Sequence, residues 1–555
     1  MLTIEDVRAV PLFSTLPESE LERLVRTSAD MSLRPGEYAV HEGGERALFA
    51  VLSGKLEVVK MFDGVERTLG WRLPGTIFGE VPLAFATPFP GAYRAAEPSR
   101  VMRVEPQHYF AIASAAPEVA EQVGKLARER IGGLQGVAMQ APKAQVTVFG
   151  DRWDPTCGDL RRFLARNQIA HDWVLADAAK AEAAWGGALP ATGERPVLRL
   201  ADGTLLSRPA MRALAERLGL QTRPRLSEYD AVVIGGGPAG LAAAVYGASE
   251  GLRTLVIERE APGGQAGTSS RIENYLGFPN GVSGDELASR ALQQARRLGA
   301  EILVTRTVAR VDPQSREVFL DGDESVRAKS LILATGVSWR RIVVEGFDKL
   351  IGKGIFYGAS RGEASSTHGQ DIFLIGAGNS AGQAALHFAN HARRVTLLVR
   401  GDALAKSMSH YLIDQIAGKA NIAAQLQAEV VAAHGADHLE GIDILDRKTG
   451  AVTRHDCGGL FIFIGADADT GWLPAELARD RNGYVLTGDE LIKAGRWSHH
   501  RDPFLLEASV PGIFACGDVR LGPVKRVASA VGEGSMAIAF VHQYLRDADG
   551  RSDQV

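Results

Sequence analysis

Two glycine-rich turns, each directly after a short apolar segment, constrain the fold of this 555-residue chain more than any other feature. The first is Gly-Gly-Gly-Pro-Ala-Gly at 235–240, after Asp-Ala-Val-Val-Ile, and the second is Gly-Ala-Gly-Asn-Ser-Ala at 376–381, after Asp-Ile-Phe-Leu-Ile. A strand, a tight glycine turn and a helix form a phosphate-binding unit, because the helix N-terminus offers free N–H groups to an anion. Two such units predict an α/β fold with two parallel sheets and two dinucleotide sites.

The first turn has a glycine at each position that the geometry requires. Gly235 permits the tight turn, Gly237 lets the backbone approach a diphosphate, and Gly240 lets the helix pack closely on the strand. The next strand, 254–257, ends at Glu258, where an acid can bond ribose hydroxyls. The residues predicted to bind this dinucleotide are Gly235, Gly237, Pro238, Ala239, Gly240, Glu258 and Arg259.

The second turn repeats the pattern, but the following strand, 395–399, ends at an arginine. Arg400 in place of an acid favours the 2′-phosphate of NADP, with Lys406 able to assist; the alternative is that Arg400 is only a solvated surface residue. The predicted contacts here are Gly376, Gly378, Asn379, Ser380, Ala381 and Arg400. Two dinucleotides imply a flavin that a nicotinamide reduces.

Composition excludes several classes of protein. The chain is 45% hydrophobic and 23% charged with a net charge of −4, which predicts a globular protein and neither a nucleic-acid nor a membrane partner. The first residues lack the pattern of a signal peptide, and no apolar run reaches the ~18 residues of a membrane span. The three cysteines are far apart and form no CxxC pair, so we expect a cytoplasmic protein without a disulfide framework and without a metal site.

Before the first turn, the chain divides into two smaller parts. Glycines punctuate short apolar segments over residues 1–140, which predicts a small antiparallel barrel or roll flanked by helices. Residues 144–222 alternate strand and helix, which predicts a small α/β module, and the polar segment 221–225 is a linker.

Several motifs follow the first turn in order: Pro-Gly-Gly-Gln-Ala-Gly within 262–279, Leu-Ala-Thr-Gly at 333–336, Gly-Ile-Phe-Ala-Cys-Gly-Asp at 512–518, and the segment 525–534. Together with the two turns, they resemble the low-molecular-weight thioredoxin reductase family over about 228–546. The resemblance implies FAD and NADPH as cofactors and a homodimer. It also implies a discontinuous FAD domain, 228–342 plus 463–546, with an NADPH domain, 343–462, inserted in it.

The resemblance also implies roles for matching residues. Gly264, Gln265 and Asn274 would approach the FAD, and Asp518 would bond its ribityl chain. The pyrimidine edge of the flavin would be lined by Lys525, Arg526 and Val527, where positive charge stabilises the reduced anion. The matching motifs further contribute Ala334, Thr335, Gly336 and Gly517.

The chain departs from this family at the redox-active thiols. The family has a Cys-x-x-Cys just before the second glycine turn, whereas this chain has Gly358 and Arg361 at the two cysteine positions. Without a thiol pair, a dithiol–disulfide relay cannot operate. Cys516 lies in a FAD-side motif, and we interpret it as a small buried hydrophobic residue.

The module 144–222 resembles thioredoxin in two places. Trp-Asp-Pro-Thr-Cys at 153–157 matches the Trp-Cys-x-x-Cys turn, and Arg195-Pro196 matches the proline beside the active site. Asp154 replaces the attacking cysteine, and an acid beside Cys157 raises the pKa of that thiol. We therefore predict a structural or docking role for the module.

The segment 1–140 resembles a cyclic-nucleotide-binding domain through Leu-Ser-Gly-Lys-Leu at 52–56 and Pro-Gly-Thr-Ile-Phe-Gly-Glu at 74–80. Glu80 matches the ribose-binding acid of that family. Phe89 stands where the phosphate-binding arginine is expected, and Arg94 falls in the following strand. Loss of a charge-assisted contact weakens binding by about 1.5–3 kcal/mol. We predict a degenerate scaffold or one for another ligand.

The expected function is an oxidoreductase that passes electrons from NADPH through FAD directly to a small-molecule or protein acceptor. One alternative is a redox or ligand sensor regulated by the N-terminal module, and another is an atypical thioredoxin reductase. No side chain stands out as a catalytic acid or base. Tyr357 and His368 flank the vacant thiol region, but such residues are more often packing or surface residues.

Overall fold

The computed structural model describes residues 2–62, 65–139, 144–178, 180–269, 271–358, 367–522 and 524–552. They form two compact units, Met1–Ala144 and Gln145–Val555. No helix within these ranges is both long and apolar enough to cross a membrane.

The first unit is built from two antiparallel four-stranded sheets, in the orders β1-β8-β3-β6 and β2-β7-β4-β5, with helices at both ends. This is the small antiparallel structure that the glycine spacing predicts. Its elements are α1 (Ile4–Arg8), α2 (Glu18–Thr27), β1 (Ala29–Leu33), β2 (Tyr38–Val40), β3 (Leu48–Ser53), β4 (Leu56–Phe62), β5 (Val65–Arg72), β6 (Ile77–Phe78), α3 (Glu80–Phe85), β7 (Ala92–Ala95), β8 (Ser99–Val104), α4 (Pro106–Ala115) and α5 (Pro117–Met139).

The second unit begins with a small four-stranded sheet in the order β10-β9-β11-β12. β9 and β10 are parallel, whereas β11 and β12 run antiparallel to their neighbours. Val148, Leu160 and Leu198 form its core beneath the helices. The elements are β9 (Val146–Gly150), α6 (Pro155–Arg166), β10 (His171–Leu175), α7 (Ala181–Trp185), β11 (Val197–Leu200), β12 (Leu205–Ser207) and α8 (Met211–Arg217).

The first glycine turn lies in a seven-stranded sheet whose parallel strands are β13, β14, β15, β18 and, from the C-terminal part of the chain, β29 (Ile513–Ala515). Contrary to the prediction of a parallel sheet alone, β16 and β17 extend it as antiparallel strands. The elements are β13 (Glu228–Ile234), α9 (Pro238–Ser249), β14 (Thr254–Ile257), α10 (Gly284–Leu298), β15 (Glu301–Leu303), β16 (Val308–Asp312), β17 (Glu317–Leu320), β18 (Ser325–Leu333) and β19 (Ser338–Trp339).

The second glycine turn lies in a parallel five-stranded sheet, β20-β27-β21-β22-β23, beside an antiparallel sheet, β24-β25-β26. β19 and β28 pair where the chain leaves and re-enters the first sheet. The elements are α11 (Phe347–Leu350), β20 (Ile355–Tyr357), β21 (Asp371–Ile375), α12 (Asn379–Phe388), β22 (Arg394–Val399), α13 (His410–Ala417), β23 (Ile422–Leu426), β24 (Ala428–His434), β25 (Gly441–Asp446), β26 (Val452–Asp456), β27 (Gly459–Ile462), β28 (Ala466–Asp467), α14 (Asp489–Lys493), β29 (Ile513–Ala515) and α15 (Val527–Ser552).

Candidate nucleotide-binding and redox site

The first glycine turn is held by contacts that only glycine permits. Gly235 has φ +106°, and an added Cβ there would lie 2.4 Å from the carbonyl oxygen of Ala334. A Cβ on Gly240 would lie 1.9 Å from the oxygen of Gly235, so α9 crosses the turn at the closest approach that a backbone allows. The turn and the segment after β18 therefore meet at the carboxyl edge of the sheet, as the motif predicts.

Glu258 closes one side of this turn. Its buried carboxylate accepts hydrogen bonds from the N–H groups of Gly236, at 2.8 Å, and Glu260, at 3.0 Å. Burial raises the pKa of Glu258, while the two backbone N–H groups act in the opposite direction. A carboxylate accepts more than two hydrogen bonds, so Glu258 keeps capacity for a ribose hydroxyl.

The segment 262–265 covers the other side. Gly263 donates to the oxygen of Gly236 at 2.8 Å, and a Cβ on Gly264 would lie 3.0 Å from Cα of Gly237. Gln265 donates through Nε2 to the oxygen of Val337, which ties this segment to residues 334–337. The hydroxyl oxygen of Thr335 is buried without a hydrogen-bond partner among the described residues.

These features fit a dinucleotide. Bare glycine backbone stands at the positions where a diphosphate would come closest, and an unsatisfied hydroxyl lies next to it. At this edge the structure brings together Gly235, Gly237, Pro238, Ala239, Gly240, Glu258, Gly264, Gln265, Ala334, Thr335 and Gly336.

Glu533 is a buried residue of the 525–534 motif for which the sequence predicts no role. It holds together the C-terminal part of the site. Glu533 accepts from the N–H of Gly517 at 2.7 Å and from Arg520 at 2.8 Å. A Cβ on Gly517 would lie 3.1 Å from Cβ of Ala239, so this turn rests on the start of α9. Burial raises the pKa of the adjacent Asp518, with Lys525 opposing it.

The remaining predicted flavin contacts are accessible. Lys525 donates to the hydroxyl of Tyr484 at 3.0 Å, directly before α15 begins at Val527. Arg526 and Asn274 are exposed. Arg259 is exposed as well and lies 3.5 Å from the carboxylate of Asp469.

The second glycine turn has the same construction. Gly376 has φ +144°, and a Cβ there would lie 2.4 Å from the oxygen of Phe463, whereas Gly378 faces open space. The Asn379 side chain accepts from the N–H of Ser409 at 2.7 Å. Ser380 is exposed and Ala381 is buried. This cradle fits a second dinucleotide, with α12 presenting its N-terminus.

Arg400 lies at the carboxyl end of β22, beside the second turn. It is exposed, and it forms no ion pair or hydrogen bond within the described parts of the chain. Lys406, by contrast, is paired with Asp402 at 2.7 Å on the surface. Arg400 is therefore the cation with the greater freedom to bind a 2′-phosphate.

Residue 358 is the first of the two positions at which the family resemblance implies a cysteine. Gly358 has φ +87°, and an added Cβ would lie 3.2 Å from the indole ring of Trp339. A cysteine there would meet both an unfavourable backbone conformation and this ring. The Tyr357 hydroxyl accepts from the N–H of Ile342 at 3.1 Å, and His368 is exposed. Arg361 lies outside the described residues.

The turn at 153–157 forms the N-terminal cap of α6. Asp154 caps α6 by accepting from the N–H of Thr156 at 2.8 Å, and Cys157 lies 3.8 Å from the same carboxylate. The pKa of Cys157 is raised to about 12, chiefly by burial and secondarily by Asp154. The acid thus raises the pKa of this thiol, as the sequence predicts, although burial contributes more. The Arg195–Pro196 peptide is cis and lies beside this turn.

All three cysteines are buried, which leads to a testable prediction. Burial raises the pKa of Cys457 to about 12 as well and raises that of Cys516. At neutral pH, on the order of 10⁻⁵ of such a thiol is thiolate. We expect the native protein to show no thiol that reacts with DTNB, and the unfolded protein to show three. One equivalent reacting within minutes in the native state would contradict this.

In the first unit, the expected phosphate position is part of the core. Phe89 is buried against Phe49 and Tyr93, with ring centroids 5.8 Å from each. Arg94 is in β7 and pairs with Glu57 at 2.8 Å. Glu80 is buried and pairs with Arg130 of α5 at 2.9 Å. The structure thus places neither Phe89 nor Arg94 where it could neutralise a cyclic phosphate.

Comparison with known proteins identifies the family. The model for pyridine nucleotide-disulphide oxidoreductases matches residues 229–534, more than half of the chain. The chain belongs to this family. The model for the cyclic nucleotide-binding domain matches residues 30–115 of this oxidoreductase.

Thioredoxin reductases are among the relatives and the solved structures that the chain resembles. The chain is 31% identical over 319 residues to a thioredoxin reductase of Treponema pallidum, covering 58% of this oxidoreductase and 98% of the relative. It is 30% identical to a 34.2 kDa protein in a rubredoxin operon of Clostridium pasteurianum, covering 57% and 97%. The Lactococcus lactis thioredoxin reductase in its FR conformation superposes with a TM-score of 0.52 at 28% identity, covering 57% and 99%. Thioredoxin reductases of this family use FAD and NADPH, which fit the two cradles.

Proposed function

We propose that this oxidoreductase transfers electrons from NADPH through FAD directly to an acceptor, without a protein dithiol. The observation that carries the proposal is the contrast between two complete nucleotide cradles and a thiol position that holds Gly358 beneath the Trp339 ring. The two cradles support reduction of the flavin by a nicotinamide. The glycine at the thiol position supports transfer to an acceptor other than a cysteine pair.

The chain's own residues account for binding and charge. When bound, FAD supplies the chemistry that accepts a hydride from NADPH and returns electrons one or two at a time. Arg400 would favour the 2′-phosphate of NADPH, and the N-termini of α9 and α12 would hold the diphosphates. Lys525, which donates to the hydroxyl of Tyr484, and the start of α15 would supply positive charge to the reduced flavin anion.

The module 144–222 and the first unit also favour electron transfer without a protein dithiol. Cys157 is buried behind the Asp154 cap, which favours a thioredoxin-like fold retained for docking. Because Phe89 is buried in the core, we infer that the first unit does not bind a cyclic phosphate. We also propose that the enzyme acts as a homodimer, as its family resemblance implies, on a small-molecule or protein acceptor.

Anaerobic titration of the FAD-loaded protein with NADPH tests the proposal. We expect one equivalent to bleach the oxidised-flavin absorbance within seconds, and we expect the cysteine-free variant C157A/C457A/C516A to be bleached at a similar rate. If that triple variant does not fold, the three single variants replace it. Absence of bleaching in the wild type would refute the proposal and favour a sensor. Steady NADPH-dependent reduction of DTNB would instead favour an atypical thioredoxin reductase.

A further inference from the structure

An arginine of the small module contacts the loop that closes the first dinucleotide cradle. Arg166, the last residue of α6, donates through Nη2 to the carbonyl oxygens of Ala261 at 2.5 Å, Gly264 at 3.3 Å and Pro262 at 3.4 Å. Its side chain is only 13% exposed, and its Nη1 lies 3.5 Å from the carboxylate of Glu260. One guanidinium group thus donates hydrogen bonds to three carbonyl oxygens within four consecutive residues.

These contacts set the direction of the peptide groups in the loop. In a trans peptide, the C=O and the N–H point in opposite directions. The carbonyl of Pro262 points to Arg166, and the N–H of Gly263 accordingly donates to Gly236 of the first glycine turn at 2.8 Å. By the same geometry, holding the Gly264 carbonyl turns the N–H of Gln265 away from the module. That N–H has no acceptor among the described residues.

The positive charge of Arg166 also acts on the buried Glu258 and on the position of the diphosphate. Glu258 is buried beneath the loop, and the Arg166 guanidinium partly offsets the effect of burial on the pKa of that carboxyl. A diphosphate arriving at the glycine turn would bring two further negative charges into a site that already holds this carboxylate. A nearly buried cation one layer behind the loop reduces the resulting repulsion.

We propose that Arg166 is a positioning residue for FAD: acting through the loop 261–264, it fixes backbone N–H groups toward the diphosphate and balances its charge. This proposal rests on the proposed function in one respect, because both require FAD to bind at the first cradle. Arg166 lies outside residues 229–534, the part that matches the oxidoreductase family. The small module therefore completes the cofactor site instead of serving as a redox partner.

The affinity of the full-length protein for FAD tests this, measured by titrating FAD into the FAD-stripped protein and following flavin fluorescence. We expect Arg166→Met to raise the FAD dissociation constant about 10- to 100-fold, as for loss of charge-assisted hydrogen bonds. Arg166→Lys keeps the charge but cannot reach three carbonyls at once, so we expect an intermediate value. It also provides a test if Arg166→Met fails to fold.

Arg212→Met is the matched control. Arg212 also joins the module to the first sheet, through the oxygen of Thr305 at 2.9 Å and the carboxylate of Asp321, but it does not contact the loop. We expect its FAD dissociation constant to stay within about twofold of wild type. Equal weakening by Arg212→Met and Arg166→Met, or no change in Arg166→Met, would overturn the proposal. Failure of NADPH to bleach the flavin would refute the proposed function alone, because FAD affinity is measured without NADPH.

Discussion

Gly240→Ala is expected to abolish FAD binding, because the new methyl group would lie 1.9 Å from the carbonyl oxygen of Gly235. The obstacle is backbone, so no flexible side chain can give way. The helix α9 would have to move off β13, which would open the turn that holds the diphosphate. We expect the purified variant to contain no bound flavin, and its free energy of unfolding to fall by about 3 kcal/mol.

The control for this variant is a glycine in open space. Gly158 lies in α6, and a Cβ there would meet nothing within 4 Å. Because alanine is the better helix former, Gly158→Ala should keep its flavin and gain up to about 1 kcal/mol. Both variants are compared by the ratio of flavin to protein absorbance and by urea unfolding. Stoichiometric flavin in Gly240→Ala would show that α9 does not approach the turn this closely.

The nucleotide turns could be predicted from the sequence because local chemistry determines them. The strand predicted at 254–257 coincides with β14, and the strand predicted at 395–399 matches β22 except for the first residue of β22. Both helices begin within the glycine-rich segments themselves, since α9 starts at Pro238 and α12 at Asn379. Turn residues themselves form the first helical turn there, and proline suits a first helical position because it lacks the N–H that would be unpaired.

Contacts between distant segments could not be predicted in this way. The loop contact of Arg166 joins residues almost a hundred positions apart, and nothing in either segment signals the other. The sequence likewise contains no signal that Trp339 lies next to Gly358 in the fold. The family resemblance implied a cysteine at position 358, but only the fold shows that an indole ring lies against this position and that Glu533 holds the turn at Gly517.

Arg400→Ala is expected to change the choice of nicotinamide. Arg400 is exposed at the end of β22 and has no partner in the described parts of the chain, so its removal leaves no buried charge unpaired. Loss of a charged contact to the 2′-phosphate should raise the dissociation constant for NADPH about 10- to 100-fold. NADH, which carries a 2′-hydroxyl, should bind as it does to the wild type.

Arg393→Ala separates this specific effect from a general loss of positive charge. Arg393 precedes the same strand but pairs with Asp371 at 2.8 and 2.9 Å, at the end of the sheet opposite to the glycine turn. We expect it to leave the affinities for both nucleotides within about twofold of wild type, because the charge is distant and exposed. Rates of flavin reduction measured against each nucleotide concentration give the dissociation constants. If Arg400→Ala weakened NADPH and NADH equally, Arg400 would not contact the 2′-phosphate, and the preference for NADPH would have another origin.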